Sequence, residues 1–327
     1  MLTKETPLNT YTTPANTSTY HLPDRICAVV VAYYPDQNFA ARLQIVLPQV
    51  ETLIVVDNTP GGGCEQQLKQ LKEHTEHMVI VENGTNAGIA TALNQGLTIA
   101  QDFGHKWLLT LDQDTLCHSD IVTTLLQTIA TCALNPAVIG ANYLDPRNDT
   151  HKVPKGITTE WLEQKTVITS GCLVDVAIAK RIGGFRENYF IDQVDHEFCL
   201  RVRTSGHSVI IARKPIMIHS VGEPNGPRIP VFGVLPSHTP LRKYYITRNS
   251  LVTIADYWHL EPEWCARRAI RLLLGLILMS LLEKHRLAKV KAFAAGATDA
   301  MLSRMGPCAH TFLITQTRIT PDKNTAA

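Results

Sequence analysis

Asp112-Gln113-Asp114 places two carboxylates one residue apart, directly after the apolar run Lys106–Leu111. On a turn at a strand end both can face one point, where they repel unless a cation lies between them. Hard oxygen ligands suit Mg²⁺ or Mn²⁺, ions that commonly also take phosphate oxygens of a substrate. A lone D-x-D triplet is common in solvated turns, so its weight comes from its position. His219, which follows Pro215–Ile218, is a candidate third ligand, against the commoner reading of a packed, hydrogen-bonded histidine. Asp57, at the end of another apolar run, can accept from the ring N–H of a uracil or thymine base, or cap a turn. Asn86-Ala87-Gly88 opens a helix whose N–H groups and positive dipole end favour a polar or anionic ligand, though an Asn cap with a turn glycine has the same spelling. Asp195 falls in the first turn of a helix within FIDQVDHEFCLR (190–201). There a carboxylate can take the proton of an attacking hydroxyl; the plain alternative is a helix start with an internal Glu197–Arg201 pair. Arg248, beyond Tyr244 and Tyr245, can neutralise a departing diphosphate or serve as a helix-surface cation.

The surrounding pattern must position these groups. Ile26–Ala32, Thr52–Val56, Met78–Glu82 and Lys106–Leu111 are short, largely β-branched or leucine-rich runs that predict buried strands. Between them Phe39–Val50, Glu65–His74 and Ala87–Phe103 have helical periodicity. Such alternation predicts an α/β fold with a mostly parallel sheet and helices on both faces, whose ligands bind beyond the C-terminal strand ends. Tyr33, Asp57, Asn58, Asp112 and Asp114 all fall there. Further on, 145–166 reads as loop, Val167–Val176 as a strand containing Thr169-Ser170-Gly171, Asp195–Ser205 as a helix and Ser208–Ala212 as a strand. Gly222–Pro240 is proline-rich and reads as a functional loop or lid. From Leu241 to about Met305 the chain reads as helical.

Composition bounds the rest. The 327 residues carry 45% hydrophobic and 18% charged side chains, as a folded protein does, and a net charge of +2 gives nucleic acid no support as a partner. Eight cysteines contain no C-x-x-C pair, which predicts reduced, mostly buried thiols rather than a zinc or redox site. Residues 1–24 are polar, lack the apolar core of a secretory signal, and read as a disordered tail; 307–327 reads as a loose one. The apolar run Leu272–Leu282 is shorter than the ~20 residues needed to span a bilayer.

Taken in order, VVVAYYPD (29–36), IVVDN (54–58), NAGIATALNQG (86–96), WLLTLDQD (107–114), TSG (169–171), GGFREN (183–188), FIDQVDHEFCLR (190–201), HSVGEP (219–224) and YYITRN (244–249) resemble family 2 glycosyltransferases. KAFAAGATDAMLSRMG (291–306) resembles the end segment of their bacterial rhamnosyltransferase branch. The resemblance covers Ile26 to about Gly306. It implies a GT-A-type nucleotide-sugar fold over 25–255, a C-terminal helical region over 256–306, and an inverting single displacement. Carried over to this chain, Tyr33, Asp57, Asn86, Gly88, Asn94 and Asp112 would hold the nucleotide, with Arg248 at the departing diphosphate. Asp114 and His219 would hold Mg²⁺ or Mn²⁺, and Thr169, Ser170 and Gly171 would line the sugar region. Asp195 would be the general base, with Asp192 its substitute. Where the family often has an aromatic residue this chain has His196-Glu197, so acceptor contacts there should differ.

The branch implies dTDP-L-rhamnose as donor and a glycan or lipid-linked glycan as acceptor, in cell-surface polysaccharide synthesis at the cytoplasmic side of the plasma membrane. UDP-galactofuranose as donor, and a non-catalytic nucleotide-sugar-binding subunit, remain alternatives. A nucleotidyltransferase is disfavoured because no glycine-rich basic loop follows the first strand. Arg267, Arg268 and Arg271 before Leu272–Leu282, and Lys284, His285, Arg286, Lys289 and Lys291 after it, predict either contact with an anionic membrane surface or a helix buried in the core or in a homo-oligomer.

Overall fold

In the computed structural model of the protein, the described residues are 25–314 except 74, 76, 147–149, 155, 220–227, 230–232 and 235–237. The tail expected over 1–24, most of the expected loop 222–240 and everything after 314 lie outside them. The element order is β1 (Ile26–Ala32), α1 (Phe39–Val46), β2 (Thr52–Asp57), α2 (Cys64–Glu73), β3 (Met78–Glu82), α3 (Ile89–Asp102), β4 (Trp107–Asp112), β5 (Leu116–Cys117), α4 (Ile121–Thr131), β6 (Pro136–Asp145), β7 (Thr150–His151), β8 (Trp161–Glu163), β9 (Cys172–Asp175), α5 (Val176–Arg181), α6 (Val194–Thr204), β10 (Ser208–Ile218), β11 (Arg228–Ile229), β12 (Gly233–Val234), α7 (Pro240–Tyr257), α8 (Pro262–Leu282) and α9 (Arg286–Met301).

One mixed sheet runs β3-β2-β1-β4-β9-β6-β10-β5, with β7 on the edge of β6 and β8 on that of β10. The pairs among β3, β2, β1 and β4 are parallel, as is β6 with β10, while β9 runs antiparallel to both β4 and β6. Side chains alternate across each strand, so a run such as ICAVVVA feeds two cores. Cys27, Val29 and Val31 pack with Leu93 and Leu97 of α3 and Phe198 and Val202 of α6. Ala28, Val30 and Ala32 pack on the opposite face with Phe39, Leu43, Leu68, Ile121 and Leu125 from α1, α2 and α4.

The strand expected over Val167–Val176 is shorter: Thr169-Ser170-Gly171 forms a turn before β9. The φ of +78° at Gly171 breaks the strand there, and a Cβ would lie 2.5 Å from Met217 Sδ. α4 and β6 add to the expected elements, with Ile121, Val122 and Leu125 and Val138, Ile139 and Ala141 buried. The helical C-terminus is three helices, and the boundary expected at 255/256 falls inside α7. Of the tail expected over 307–327, residues up to 314 are described; Cys308 and Leu313 are buried against Tyr244 and Tyr245 of α7, which corrects that part of the expectation. All eight cysteines are unpaired and seven are buried. No helix among the described residues is long and apolar enough to cross a membrane.

Candidate active site at the C-terminal strand ends

Register fixes where the polar strand ends meet. Ala32 pairs with Asp57 and Val31 with Asp112, so the ends of β1, β2 and β4 are level. The chain leaves β1 toward β2 and β3, then returns past β1 to β4, which makes the β1/β4 boundary a topological switch point where α/β sheets open a ligand crevice. Gln113 bridges that crevice's floor: its Oε1 accepts from Tyr33 N at 2.7 Å and its Nε2 donates to Tyr33 O at 3.1 Å. Arg42 Nε holds the Gln113 carbonyl at 2.7 Å. The middle residue of the D-x-D triplet thus ties the loop after β1 to the acidic turn, a role the spacing alone did not reveal.

Among the described residues, Asp112, Asp114 and His219 form one cluster whose potential ligand atoms all lie within 4.8 Å of one another. The 105-residue gap is closed by β5. Leu116 and Cys117 pair antiparallel with Ile218 and Met217, which folds the acidic turn back against the end of β10. A relay of hydroxyls then orients the cluster. Ser170 Oγ accepts from Asp112 N at 3.1 Å and shares a 2.5 Å hydrogen bond with Thr115 Oγ1. Thr115 Oγ1 in turn meets His219 Nδ1 at 3.1 Å, while His219 Nε2 stands 3.9 Å from Asp112 Oδ2. Burial raises the Asp112 carboxyl to about 6, opposed by His219 and reinforced by Asp114 and Asp195. Crowded carboxylates with an imidazole nitrogen facing them fit a divalent cation: two hard oxygens and one nitrogen suit Mn²⁺ or Mg²⁺.

The structure reassigns the sugar-lining triplet. Ser170 and Gly171 are buried, Ser170 to 1% exposure. The Thr169 carbonyl accepts from Thr110 Oγ1 at 2.6 Å. Ser170 and Gly171 thus brace the acidic turn from behind, while Thr169 stays partly exposed.

Asp195 stands half-buried in the first turn of α6, where its Oδ1 accepts from the N–H of His196 at 2.8 Å. The approach to it is strained: Phe190, Asp192 and Gln193 all have φ between 64° and 67°, a region costly for residues with side chains. Asn249 of α7 supports that turn, its Nδ2 donating to the carbonyls of Tyr189, Ile191 and Asp192. Arg248 completes the support. It is fully buried, and its guanidinium donates to Asn249 Oδ1, Tyr244 Oη and the carbonyls of Gly306, Asn188 and Tyr189. The expectation that Arg248 meets a departing diphosphate therefore fails, because every edge of its fork is engaged inside the fold. Arg242, one turn into α7, pairs with Asp192 through Nε and Nη2 and is close enough to lower the Asp112 carboxyl. Among the described residues it is a cation within electrostatic reach of the acidic cluster. The same pairing commits Asp192 and leaves Asp195 as the candidate base.

Other expected nucleotide contacts divide in the same way. Asn94 spends its amide on Phe185 N, Phe185 O and Glu187 Oε1, clamping the GGFREN loop. Asp57 is fully buried, accepting from Thr59 N at 2.8 Å and Cys64 N at 3.0 Å, so it caps its own turn and offers no edge to a base. Gly88, at φ +86°, lies so close to Phe190 that a Cβ would stand 2.7 Å from its carbonyl oxygen. That carbonyl accepts from Ile89 N, and Asn86 Oδ1 accepts from Gly88 N. The N–H groups of Gly88 and Ile89 at the start of α3 are thus engaged by protein. Tyr33 keeps a half-buried phenol, raised by burial and hydrogen-bonded to Asn86. Tyr34 beside it is 55% exposed, an aromatic face at the crevice mouth.

An acidic crevice at the switch point of a mostly parallel sheet, closed by C-terminal helices, defines a GT-A-type nucleotide-sugar fold. The chain belongs to glycosyl transferase family 2, whose model matches residues 27–191, and it is a glycosyltransferase. It is 25% identical over 295 residues to the dTDP-rhamnosyl transferase RfbF of Shigella flexneri, a match covering 84% of this chain and 95% of that one. Among solved structures it is similar to S. aureus TarS, with TM-score 0.55 and 14% identity over 86% of this chain; it spans about half of TarS, 49%. It is likewise similar to the TarS 1–349 fragment in complex with UDP-GlcNAc, with TM-score 0.53 and 11% identity, covering 85% of this chain and 92% of the fragment. At those identities the likeness is one of fold.

Proposed function

We propose that this chain is an inverting, metal-dependent rhamnosyltransferase. It moves L-rhamnose from dTDP-L-rhamnose to a hydroxyl of a glycan or lipid-linked glycan in cell-surface polysaccharide synthesis, at the cytoplasmic side of the membrane. The observation that carries the mechanism is the convergence of Asp112, Asp114 and His219 with Asp195 within electrostatic reach. The similarity to RfbF supports the donor.

Asp112, Asp114 and His219 would hold Mg²⁺ or Mn²⁺. Bound there, the ion supplies positive charge to the diphosphate oxygens, where negative charge builds as the sugar departs. Tyr33, Asn86 and the exposed Tyr34 line the crevice for the nucleoside. Asp195 takes the proton of the acceptor hydroxyl as its oxygen bonds to the anomeric carbon, the bond from that carbon to the diphosphate oxygen breaks on the opposite face, and dTDP leaves with the electron pair. Attack opposite the leaving group inverts the anomeric configuration. Arg242 adds fixed positive charge near the leaving oxygens, the role expected of Arg248 from sequence.

The test is nucleoside diphosphate release from dTDP-L-rhamnose, UDP-GlcNAc and UDP-galactofuranose, each with Mn²⁺ and with a chelator. Metal-dependent release of dTDP above UDP is the expected result. Preference for a UDP-sugar would replace the donor, and release undiminished by chelation would overturn the metal site.

A further inference from the structure

On the side of Asp195 that faces α8 lies a cavity of about 220 Å³, lined by Lys152, Thr166, His196, Trp264, Arg268 and Arg271 among others. Two other cations on its wall are neutralised: Lys165 by Glu261 at 2.6 Å, and Arg267 by Glu263. Lys152, Arg268 and Arg271 have no carboxylate within ion-pair distance among the described residues, yet all three act on His196. Arg268 donates Nε and Nη2 to one hydroxyl, Ser250 Oγ, at 2.9 and 2.7 Å. Burial pushes it down to about 10, with Asp195 and Asp192 offsetting and Arg271 adding to the loss. A half-buried guanidinium facing further cations is costly unless an anion joins it.

The same helix carries a second unmatched feature. Ile270, Leu273, Leu274, Ile277 and Leu281 form a stripe at helical spacing, each 46–67% exposed. It begins in the turn that carries Arg267, Arg268 and Arg271. An exposed apolar stripe marks a contact surface, and its start in the turn of α8 that also supplies the cavity's arginines selects an occupant with both properties.

We propose that this cavity binds the phosphate or diphosphate of an amphiphilic acceptor and that the α8 stripe receives that acceptor's hydrocarbon chain. The inference rests on the glycosyltransferase reading and deepens it by giving the acceptor a site and a chemistry. The donor diphosphate belongs at Asp112, Asp114 and His219; the acceptor phosphate belongs at Arg268, Arg271 and Lys152; Asp195 and His196 stand between the two. His196-Glu197, where the family often has an aromatic residue, fits this division. His196 lines the cavity, while Glu197 is buried against Arg201 and Tyr257.

The experiment titrates farnesyl phosphate and inorganic phosphate into the full-length chain saturated with dTDP and Mg²⁺, read by calorimetry. Farnesyl phosphate should bind at least tenfold more tightly than phosphate. Arg268→Gln and Arg271→Ala should each weaken both ligands by on the order of tenfold, the worth of a charged hydrogen bond. Ile277→Ser should weaken farnesyl phosphate alone. Arg271 is exposed, so Arg271→Ala stays informative even where Arg268→Gln folds poorly. Unchanged affinity in Arg271→Ala overturns the phosphate site. Equal affinity of the two ligands, or an Ile277→Ser variant that binds farnesyl phosphate normally, overturns the placement of the chain. Retained dTDP binding in the variants localises any loss to the acceptor side, whereas failure of the unsubstituted chain to bind dTDP strikes the donor reading instead.

Discussion

The acidic turn at the end of β4 and the Arg248–Asn249 pair on α7 are both polar, yet they are built oppositely. At the turn, Asp112 and Asp114 crowd each other, and burial with a like charge holds the Asp112 carboxyl up at about 6. At the pair, Arg248 satisfies each of its guanidinium nitrogens and Asn249 serves three carbonyls with one amide nitrogen. Unsatisfied groups at a crevice remain able to meet a ligand, whereas saturated groups in a core hold backbone in place. The saturated pair serves the unsatisfied site: it fixes the strained turn 190–193 from which Asp195 projects.

The sharpest way to break this contrast is to neutralise the base. Asp195→Asn should lower turnover by about 10²–10⁴-fold, the usual worth of general base catalysis, while dTDP binding and the melting temperature stay unchanged; a variant with full turnover would remove Asp195 from the mechanism. Arg248→Ala should act on the other side of the contrast. With the Gly306 carbonyl and Asn249 Oδ1 losing their guanidinium donor and a cavity left in the core, unfolding in urea should show a loss of about 3–5 kcal/mol. A loss of activity without a loss of stability would return Arg248 to the donor site.

Ser170→Ala joins the two behaviours, because it removes the relay between Asp112 and His219 without touching a ligand. Mn²⁺ affinity should fall about 10–100-fold, as for other residues that orient metal ligands, and a normal dissociation constant would show the relay to be idle. The smallest effect concerns pH. The folded Asp112 carboxyl stands above its unfolded value near 3.8, so the metal-free fold favours its protonated form. That contribution is fully present below the unfolded value and is lost as pH rises to about 6. Metal affinity should rise over the same window. The stability difference between the unsubstituted chain and Asp112→Asn, measured metal-free across it, should therefore move in favour of Asp112→Asn with rising pH; a flat difference would contradict the raised carboxyl.

The left half of the sheet was legible because β1, β2, β3 and β4 are apolar runs bounded by turn residues, and Asp112 and Asp114 stand where such strands end. Legibility stopped at partners. Asp57, Asn94 and Arg248 have the residue types of a ligand site, but their hydrogen bonds close within the fold, and nothing in local spacing shows that Asn94 meets Phe185 or that Arg248 meets Gly306. Arg242 is illegible for the converse reason, since only tertiary packing brings α7 to Asp192, 50 residues earlier. Thr169-Ser170-Gly171 has apolar flanks that spell a strand, whereas the left-handed φ at Gly171 makes it a turn that braces Asp112.

The central claim is that Asp112, Asp114 and His219 act together as a metal centre that binds the donor's diphosphate. The most direct measurement is the thermal shift produced by dTDP with Mn²⁺ and with chelator, in the unsubstituted chain and in Asp114→Asn, since a ligand of the folded state raises the midpoint with its affinity. The account predicts a rise that needs the metal and that Asp114→Asn abolishes. An equal rise under chelation, or one that survives in Asp114→Asn, would contradict it.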